Sequence, residues 1–358
     1  MRDQAGRQGA GSIRFMPAVD MRSDTLTMPG PEMRRAMADA ELGDDVYGED
    51  PSVNHLLEIA ADKLGKEKAI FVASGTMGNL IGLLVNARSG EEVIADADAH
   101  IFLYEAAGAA VVAGIQIMPI ATPRGVMTVD QVLDAIRPDD QHMPTTAALS
   151  IENTHNRHGG VAWPPAELKA VTDAARNRGL AVHMDGARIF NAALATGCDV
   201  REIAACADTI TFCLSKGLGS PVGSVLVGPA EKIDSALKWR KMLGGGMREI
   251  GMLAAAGTYS LERMIPRLAE DHANARTLAE GIAELPGVKI ELDRVQTNLV
   301  VFEVESMSPD QFLRECAERG LKGGGMGARR IRFVTRYGID SEDVQTALRI
   351  ITEVLEAR

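Results

Sequence analysis

A single lysine, Lys216, follows the apolar run ITFCL within the stretch DTITFCLSKGLGSPVGSVLVG (208–228). A lysine at the end of a buried strand is either a surface charge or a nucleophile. An apolar setting or nearby cations lower the pKa of the ammonium from its usual ~10.4 and free the amine. Because a free amine condenses with an aldehyde to form a Schiff base, Lys216 is a candidate covalent anchor for an aldehyde ligand.

The glycines behind this lysine, Gly217, Gly219 and Gly223, have the spacing GxGxxxG. A dinucleotide-binding loop needs a helix directly after its glycines, but here the strand-like segment SVLVG follows. The pattern GxxxxGK[ST] of nucleotide hydrolases does not occur in the chain. We therefore interpret the glycines as a hairpin-like turn between two strands.

A phosphate site is indicated upstream, in FVASGTMGNLIG (71–82). A strand ends near Ser74, Gly75 lets the backbone approach a ligand closely, and Thr76 adds a hydroxyl where a helix begins. The exposed amides and positive dipole end of a helix bind a phosphate monoester well. The alternative is that Ser74 serves only as an ordinary helix N-cap.

Asp185 ends a second apolar strand in HMDGARIF (183–190), at the ligand-binding edge of an open α/β sheet. With Arg188 three residues on, it could form a structural ion pair, or it could face a protonated heterocycle nitrogen. His183, inside the same strand, is expected in the core.

Histidines also follow strand-like segments. His100 ends VIADADAH, whereas His142 and His155 lie in DDQHMP and ENTHN. A lone histidine is more often structural than catalytic, so none of them is assigned a role by itself. No residues are assigned to a metal ion.

Together these features match what pyridoxal 5'-phosphate requires. The cofactor needs a lysine for its aldehyde, a carboxylate for its pyridine nitrogen, a phosphate site and a ring that stacks on it. Lys216, Asp185, the Ser74–Thr76 turn and His100 supply these groups. Lys241 and Arg248 are candidate cations that help to lower the pKa of the lysine.

The elements that carry these residues alternate between apolar strands and helices. Most strand candidates are apolar throughout, which is typical of a largely parallel sheet covered on both faces, so we predict a doubly wound α/β fold. EDPSVNHLLEIAADKLG (49–65) reads as a helix with Asp50 as N-cap and Gly65 as its stop. After about Gly257 a long helix (263–285), further strands and a C-terminal helix predict a small α+β domain.

Length and composition limit the function. The chain has 358 residues, four cysteines and a formal net charge of -11. This acidity argues against nucleic acid or an anionic membrane as a partner, and no apolar run is long enough to span a membrane. The cysteines read as reduced core thiols of a cytoplasmic protein. Residues 1–17 are predicted to be a disordered extension, residues 18–262 a large cofactor-binding domain and residues 263–358 a small domain.

The chain also resembles a known family, the low-specificity L-threonine aldolases, which are fold-type I enzymes dependent on pyridoxal phosphate. The resemblance rests on the segments RSDTLTMP (22–29), GDDVYGEDPSVNHLLE (43–58), SGTMGN (74–79), ENTHN (152–156), HMDGARIFNA (183–192), CLSKGLGSPVGSVLVG (213–228) and WRKMLGGGMR (239–248). It implies a three-layer α/β/α large domain with a mostly parallel mixed sheet, like that of aspartate aminotransferase.

The resemblance implies a role for each matching position. Lys216 would carry the Schiff base and Asp185 would pair with the pyridine nitrogen. The other implied ligands of the cofactor are Ser74, Gly75, Thr76, His100, Arg188, Lys241 and Arg248. The implied substrate ligands are Ser23, Tyr47, His142, Arg188 and Arg332, with His100 or His142 as the catalytic base. Tyr47 and either Arg248 or Lys241 would serve a neighbouring subunit.

Four arginines, Arg329, Arg330, Arg332 and Arg336, compete for the substrate carboxylate, and we choose Arg332 because it lies within RIRFVT. The implied reaction is retro-aldol cleavage of L-threonine or L-allo-threonine to glycine and acetaldehyde, in a homotetramer built as a dimer of dimers with shared active sites. The alternatives are an aldolase for a bulkier β-hydroxy-α-amino acid such as L-phenylserine, a β-eliminating lyase, or a ligand-binding protein without catalysis.

Overall fold

The computed structural model describes residues 19–357, so the predicted disordered extension at residues 1–17 lies outside the described part. The strands are β1 Val19–Asp20, β2 Lys68–Val72, β3 Glu92–Asp96, β4 Gln116–Ile120, β5 Thr146–Glu152, β6 Ala181–Asp185, β7 Thr209–Cys213, β8 Ser224–Gly228, β9 Val288–Ile290, β10 Leu299–Val304, β11 Leu321–Lys322, β12 Gly324–Met326 and β13 Arg330–Val334. The helices are α1 Pro31–Ala38, α2 Pro51–Leu64, α3 Gly75–Leu84, α4 His100–Leu103, α5 Gly108–Val111, α6 Val129–Ala135, α7 Pro165–Asn177, α8 Ile189–Thr196, α9 Val200–Ala205, α10 Ala230–Met242, α11 Gly251–Tyr259, α12 Leu268–Ala283, α13 Pro309–Glu318 and α14 Ser341–Glu356.

A seven-stranded sheet forms the centre of the molecule, with strand order β2-β8-β7-β6-β5-β3-β4. All neighbouring strands run parallel except β8, which is antiparallel to both β2 and β7. β3, β7 and β8 are buried along their whole length, as their continuous apolar sequences predicted. The predicted fold class, a mostly parallel mixed sheet in an α/β fold, is confirmed.

Helix α3 packs unusually close to this sheet, because two glycines one turn apart face it. A Cβ atom on Gly82 would lie 2.1 Å from Cε1 of His183, and one on Gly78 would lie 2.5 Å from Cγ2 of Thr211. Only a residue without a side chain fits at such distances. The close approach brings Asn79, between the two glycines, to the end of β6.

Helix α2 starts and stops as its sequence predicts. The Asp50 side chain accepts a hydrogen bond from the backbone N–H of Val53, and Gly65 ends the helix in the left-handed region at φ +61°. The buried Asp50 carboxylate also accepts the N–H of Gly251, which fixes the start of α11 against α2.

A four-stranded antiparallel sheet, β12-β13-β10-β9, lies in the C-terminal part and packs on α12 and α14. The predicted helix over 263–285 is wrong at its start, because residues Ser260–Met264 form a π-helical turn and α12 begins only at Leu268. Pro266 lies between them and cannot donate a helical hydrogen bond.

The N-terminal segment joins this C-terminal part. β1 pairs in parallel with β11, and the side chains of Val19 and Met21 belong to the apolar core formed by α12, α14 and β10. The chain then crosses to the central sheet. The domain boundary predicted at residue 262 remains a prediction. The N-terminal strand contributes to the core of the C-terminal part.

All four cysteines are free, with Cys206, Cys213 and Cys316 buried and Cys198 partly exposed. Among residues 19–357, no helix combines the length and the apolar character that crossing a bilayer requires.

Candidate active site

The carboxyl ends of the parallel strands open into a cleft of about 320 Å³, a volume suited to a small-molecule ligand. Of the predicted site residues it brings together Ser23, Gly75, His100, Asp185, Arg188, Lys216 and Arg332. The C-terminal part closes one side of the cleft through Gly325, Met326 and Arg332.

Lys216 lies on the turn between the antiparallel strands β7 and β8, as the glycine pattern predicted. Its ammonium nitrogen is 3.4 Å from Sγ of Cys213. Gly219 and Gly223 adopt φ values of +80° and +104°, which favour glycine, and allow the chain to reverse directly behind the lysine.

Asp185 is buried at the end of β6 and does not pair with Arg188, so the alternative of a structural ion pair between these two residues is wrong. Its Oδ2 accepts a hydrogen bond of 2.8 Å from the Asn79 amide, and its Oδ1 accepts the N–H of Ala187. The carboxylate is therefore held in place with an edge available to the cleft, where it can accept a further N–H.

Arg188 instead forms a buried bidentate ion pair with Asp24, with N–O distances of 2.6 and 2.8 Å. Burial alone would raise the pKa of Asp24, but the charge and hydrogen bonds of Arg188 outweigh it and lower that pKa well below its usual range. Asn298, the residue directly before β10, donates a third hydrogen bond to the same carboxylate at 3.2 Å.

His100 begins α4 and is fixed by a buried acidic partner that sequence reasoning missed. Its Nδ1 lies 2.7 Å from Oε1 of Glu105, and Oε1 also accepts the Asn79 amide at 2.8 Å. Asn79 thus bridges Glu105 and Asp185. The only sequence signals were their positions: Asn79 is four residues after Gly75, and Glu105 is five after His100.

These contacts change how His100 titrates. Burial alone would lower its pKa, but the hydrogen bond to Glu105 and the charges of Asp185, Glu105 and Glu152 outweigh burial and raise it. Burial also raises the pKa of Glu105. His183, by contrast, is fully buried as predicted, and burial lowers its pKa to about 4.

The first turn of α3 lies at the cleft. The Ser74 side chain caps the helix by accepting the N–H of Met77, and its predicted contact with the cofactor stays a prediction. A Cβ atom on Gly75 would be 2.9 Å from Sγ of Cys213, which leaves room for glycine only. The N–H groups of Gly75 and Thr76 belong to the turn whose amides have no partner inside the helix.

Arg332 is the arginine of the four candidates that lines the cleft. Its Nη1 donates to Oδ1 of Asn156 at 3.1 Å and its Nη2 to the carbonyl of Arg22 at 3.1 Å, while its buried Nε has no hydrogen-bond partner among residues 19–357. Arg330 and Arg336 donate to backbone carbonyls outside the cleft.

Four predicted residues lie away from the cleft of their own chain. His142 is exposed and paired with Asp140 at 2.7 Å, and the Tyr47 side chain is 74% exposed. Arg248 pairs with Asp44 beside Tyr47, and Lys241 is exposed near the end of α10. The loop between Lys241 and Arg248 packs against the first turn of α3, since a Cβ on Gly245 would be 2.5 Å from Sδ of Met77.

A lysine, a fixed carboxylate and a helix start lie at one edge of this sheet, and the fold is that of the fold-type I pyridoxal-phosphate enzymes. The chain belongs to the beta-eliminating lyase family, whose sequence model matches residues 20–305. Members of this family use pyridoxal phosphate.

Among its relatives is the low specificity L-threonine aldolase of Escherichia coli (strain K12), which is 49% identical over 287 residues, covering 80% of this chain and 84% of that protein. Low-specificity L-threonine aldolase 1 of Arabidopsis thaliana is 39% identical over 340 residues, covering 93% and 95%. The structure of Leishmania major threonine aldolase superposes with a TM-score of 0.81 at 20% identity, covering 94% and 99%, and supports the fold.

We expect the Glu105→Gln variant to lower the pKa of His100, because the amide removes the negative charge that favours the imidazolium and leaves only a weaker, neutral acceptor. The measurement is an NMR pH titration of the histidine ring protons, with the His100 signal assigned by its loss in a His100→Gln variant. The exposed Glu58→Gln is the matched control and leaves that pKa unchanged. An unchanged His100 pKa in Glu105→Gln would show that Glu105 does not control its protonation.

Proposed function

We propose that this chain cleaves L-threonine and L-allo-threonine to glycine and acetaldehyde by a retro-aldol reaction with pyridoxal phosphate. The observation that carries the proposal is the convergence of Lys216, Asp185, the α3 start and Arg332 on one cleft. The relatives named threonine aldolase support the choice of substrate.

The residues present fit the cofactor. Lys216 would bind the aldehyde, Asp185 would accept the pyridinium N–H, and the amides of Gly75 and Thr76 would hold the phosphate at the positive end of α3. Arg188 would lie beside the ring and the substrate. When bound, the cofactor supplies an electron sink for the bonding pair that the broken Cα–Cβ bond leaves on Cα.

Arg332 and Ser23 bind the substrate carboxylate in this proposal. The unpartnered Nε of Arg332 is buried, and a carboxylate would satisfy it through a bidentate contact. A fixed carboxylate restricts the amino acid to one orientation of its Cα–Cβ bond. This lowers the activation barrier, because the entropy of ordering the substrate is lost on binding and not in the reaction step.

His100 acts as the base, directly or through water, and takes the proton of the β-hydroxyl group. Glu105 engages Nδ1, which leaves Nε2 as the nitrogen that can accept this proton. A carbonyl then forms at Cβ as the Cα–Cβ bond breaks, the aldehyde leaves, and Cα takes up a proton to give glycine. His142 is the second candidate base, from another subunit.

We further propose a cytoplasmic homotetramer, a dimer of dimers with shared active sites. Tyr47, His142, Lys241 and Arg248 are exposed in the single chain, and this supports a role for them in a neighbour's cleft. The four free thiols agree with a reducing compartment.

A parallel assay of the holoenzyme with L-threonine, L-allo-threonine, L-phenylserine and L-serine tests this function. We expect glycine and acetaldehyde from the first two. Much faster release of glycine from phenylserine would instead assign the chain to bulkier β-hydroxy amino acids. Pyruvate from serine, without glycine from threonine, would assign a β-elimination and contradict the proposal.

Arg332 and Arg330, two residues apart on β13, provide a test variant and a matched control. Arg332→Ala is expected to raise KM for the amino acid roughly ten- to a hundredfold, because a hydrogen-bonded charge contributes about 1.5–3 kcal/mol. Arg330→Ala should leave KM unchanged, since among residues 19–357 Arg330 donates only to the Arg157 carbonyl. A raised KM in Arg330→Ala with a normal one in Arg332→Ala would show that the carboxylate binds elsewhere.

A further inference from the structure

Behind the wall of the cleft, three buried side chains converge at the end of β3. Nε2 of His155 lies 3.2 Å from Oδ1 of Asp96, and Nε2 of His158 lies 3.7 Å from the same oxygen. The three ligand atoms lie within 4.8 Å of one another, and all three residues are more than nine-tenths buried.

The two imidazoles lie at ion-pair distance from Asp96 but not at hydrogen-bonding geometry. Neither Nε2, nor Nδ1 of His155, has a partner at hydrogen-bonding geometry within the described residues. A buried polar nitrogen left unpaired costs free energy, so buried histidines of this kind normally bind a proton acceptor, water or a metal. Both Nε2 atoms lie within 4 Å of Oδ1 of Asp96.

We propose that Asp96, His155 and His158 form a binding site for a divalent transition-metal ion, with zinc as the expected occupant. Two imidazoles and a carboxylate are a donor set that zinc uses. Around tetrahedral zinc, with bonds of ~2.0–2.2 Å, neighbouring donor atoms stand ~3.3 Å apart. The two nitrogen–oxygen separations at Asp96 require only a small adjustment to reach this value.

The surroundings favour a cation and hold the ligands. The Thr122 hydroxyl donates to Oδ2 of Asp96 at 2.5 Å, and the backbone N–H of Asp98 donates to Oδ1 at 2.8 Å, which leaves one lone pair of Oδ1 for a cation. Glu152 Oε1 lies 4.0 Å from Nδ1 of His155, on the side where an outer carboxylate orients a metal-bound histidine.

A fourth ligand and an entry path are available at the rim. Oδ2 of Asp98 lies 3.6 Å from Nε2 of His158, and the Asp98 side chain is 35% exposed. Its other oxygen is paired with Arg157. Asp98 or water can therefore complete the coordination from the solvent side.

The second cluster of potential ligands, His100, Glu105 and Asp185, does not carry such a proposal. His100 Nδ1 is already bonded to Glu105, and Asn79 donates to both carboxylates. That cluster belongs to the cleft described above.

A metal at this site would fix the cleft wall. His155 is followed by Asn156, whose Oδ1 accepts hydrogen bonds from both Arg188 and Arg332. Binding His155 and His158 to Asp96 would tie this loop to the end of β3. The role is structural, and it acts on the arginines through Asn156.

The test measures zinc on the holoenzyme after it has been cleared of metals with a chelator and dialysed against Zn²⁺. We expect about one zinc ion per chain in the wild type, and loss of this ion in His158→Gln. The exposed His55→Gln is the matched control and should retain it. Bound cofactor absorbance and thermal unfolding confirm that each variant is folded.

A second variant keeps all three ligands. Thr122→Val removes the hydroxyl that donates to Asp96 and accepts the N–H of Gly125, and should weaken zinc binding ~10–100-fold, as for other outer-shell partners. The proposal is overturned if the wild type takes up no stoichiometric zinc, or if His158→Gln retains it. If His158→Gln does not fold, zinc affinity in Thr122→Val equal to that of the wild type overturns it.

Discussion

The cleft depends on the buried ion pair between Arg188 and Asp24. Arg188 follows β6, Asp24 comes from the N-terminal segment, and Asn298 from the C-terminal part binds the same carboxylate. Removing one partner of such a pair costs about 3–5 kcal/mol, because a charge stays buried without compensation. Three distant parts of the chain are therefore held together by the hydrogen bonds to one carboxylate beside the cleft.

The same pair organises the cations of the cleft. With Asp24 neutralising Arg188, and Asn156 accepting from both Arg188 and Arg332, two guanidinium groups can lie close together. Burial and the charge of Arg188 lower the pKa of Arg332. The unpaired Nε of Arg332 is consistent with the proposal that the substrate carboxylate binds here.

Sequence reasoning predicted the sheet and its ligand edge, because continuous apolar strands and residues at their ends are local signals. Lys216, Asp185 and Gly75 were found in this way. The partners of these residues were not, since Asp24 meets Arg188 across 164 positions and Asn79 meets Asp185 across 106. The closeness of α3 to the sheet, which depends on Gly78 and Gly82, also has no local signal beyond the glycines themselves.

Little in the sequence indicates the contacts that the histidines make. His155 was discounted when taken singly, yet it meets His158 and Asp96 in the fold. The roles of His142, Tyr47, Lys241 and Arg248 stay predictions, because these residues lie outside the cleft of their own chain.

The proposed chemistry requires Lys216 to be the covalent anchor of the cofactor. Borohydride reduction of the holoenzyme, followed by proteolysis and mass spectrometry, should find the cofactor's mass on the peptide that contains Lys216. The label should be absent in Lys216→Ala and retained in the exposed Lys169→Ala. A label on another lysine of the wild type, or its persistence in Lys216→Ala, would contradict the account.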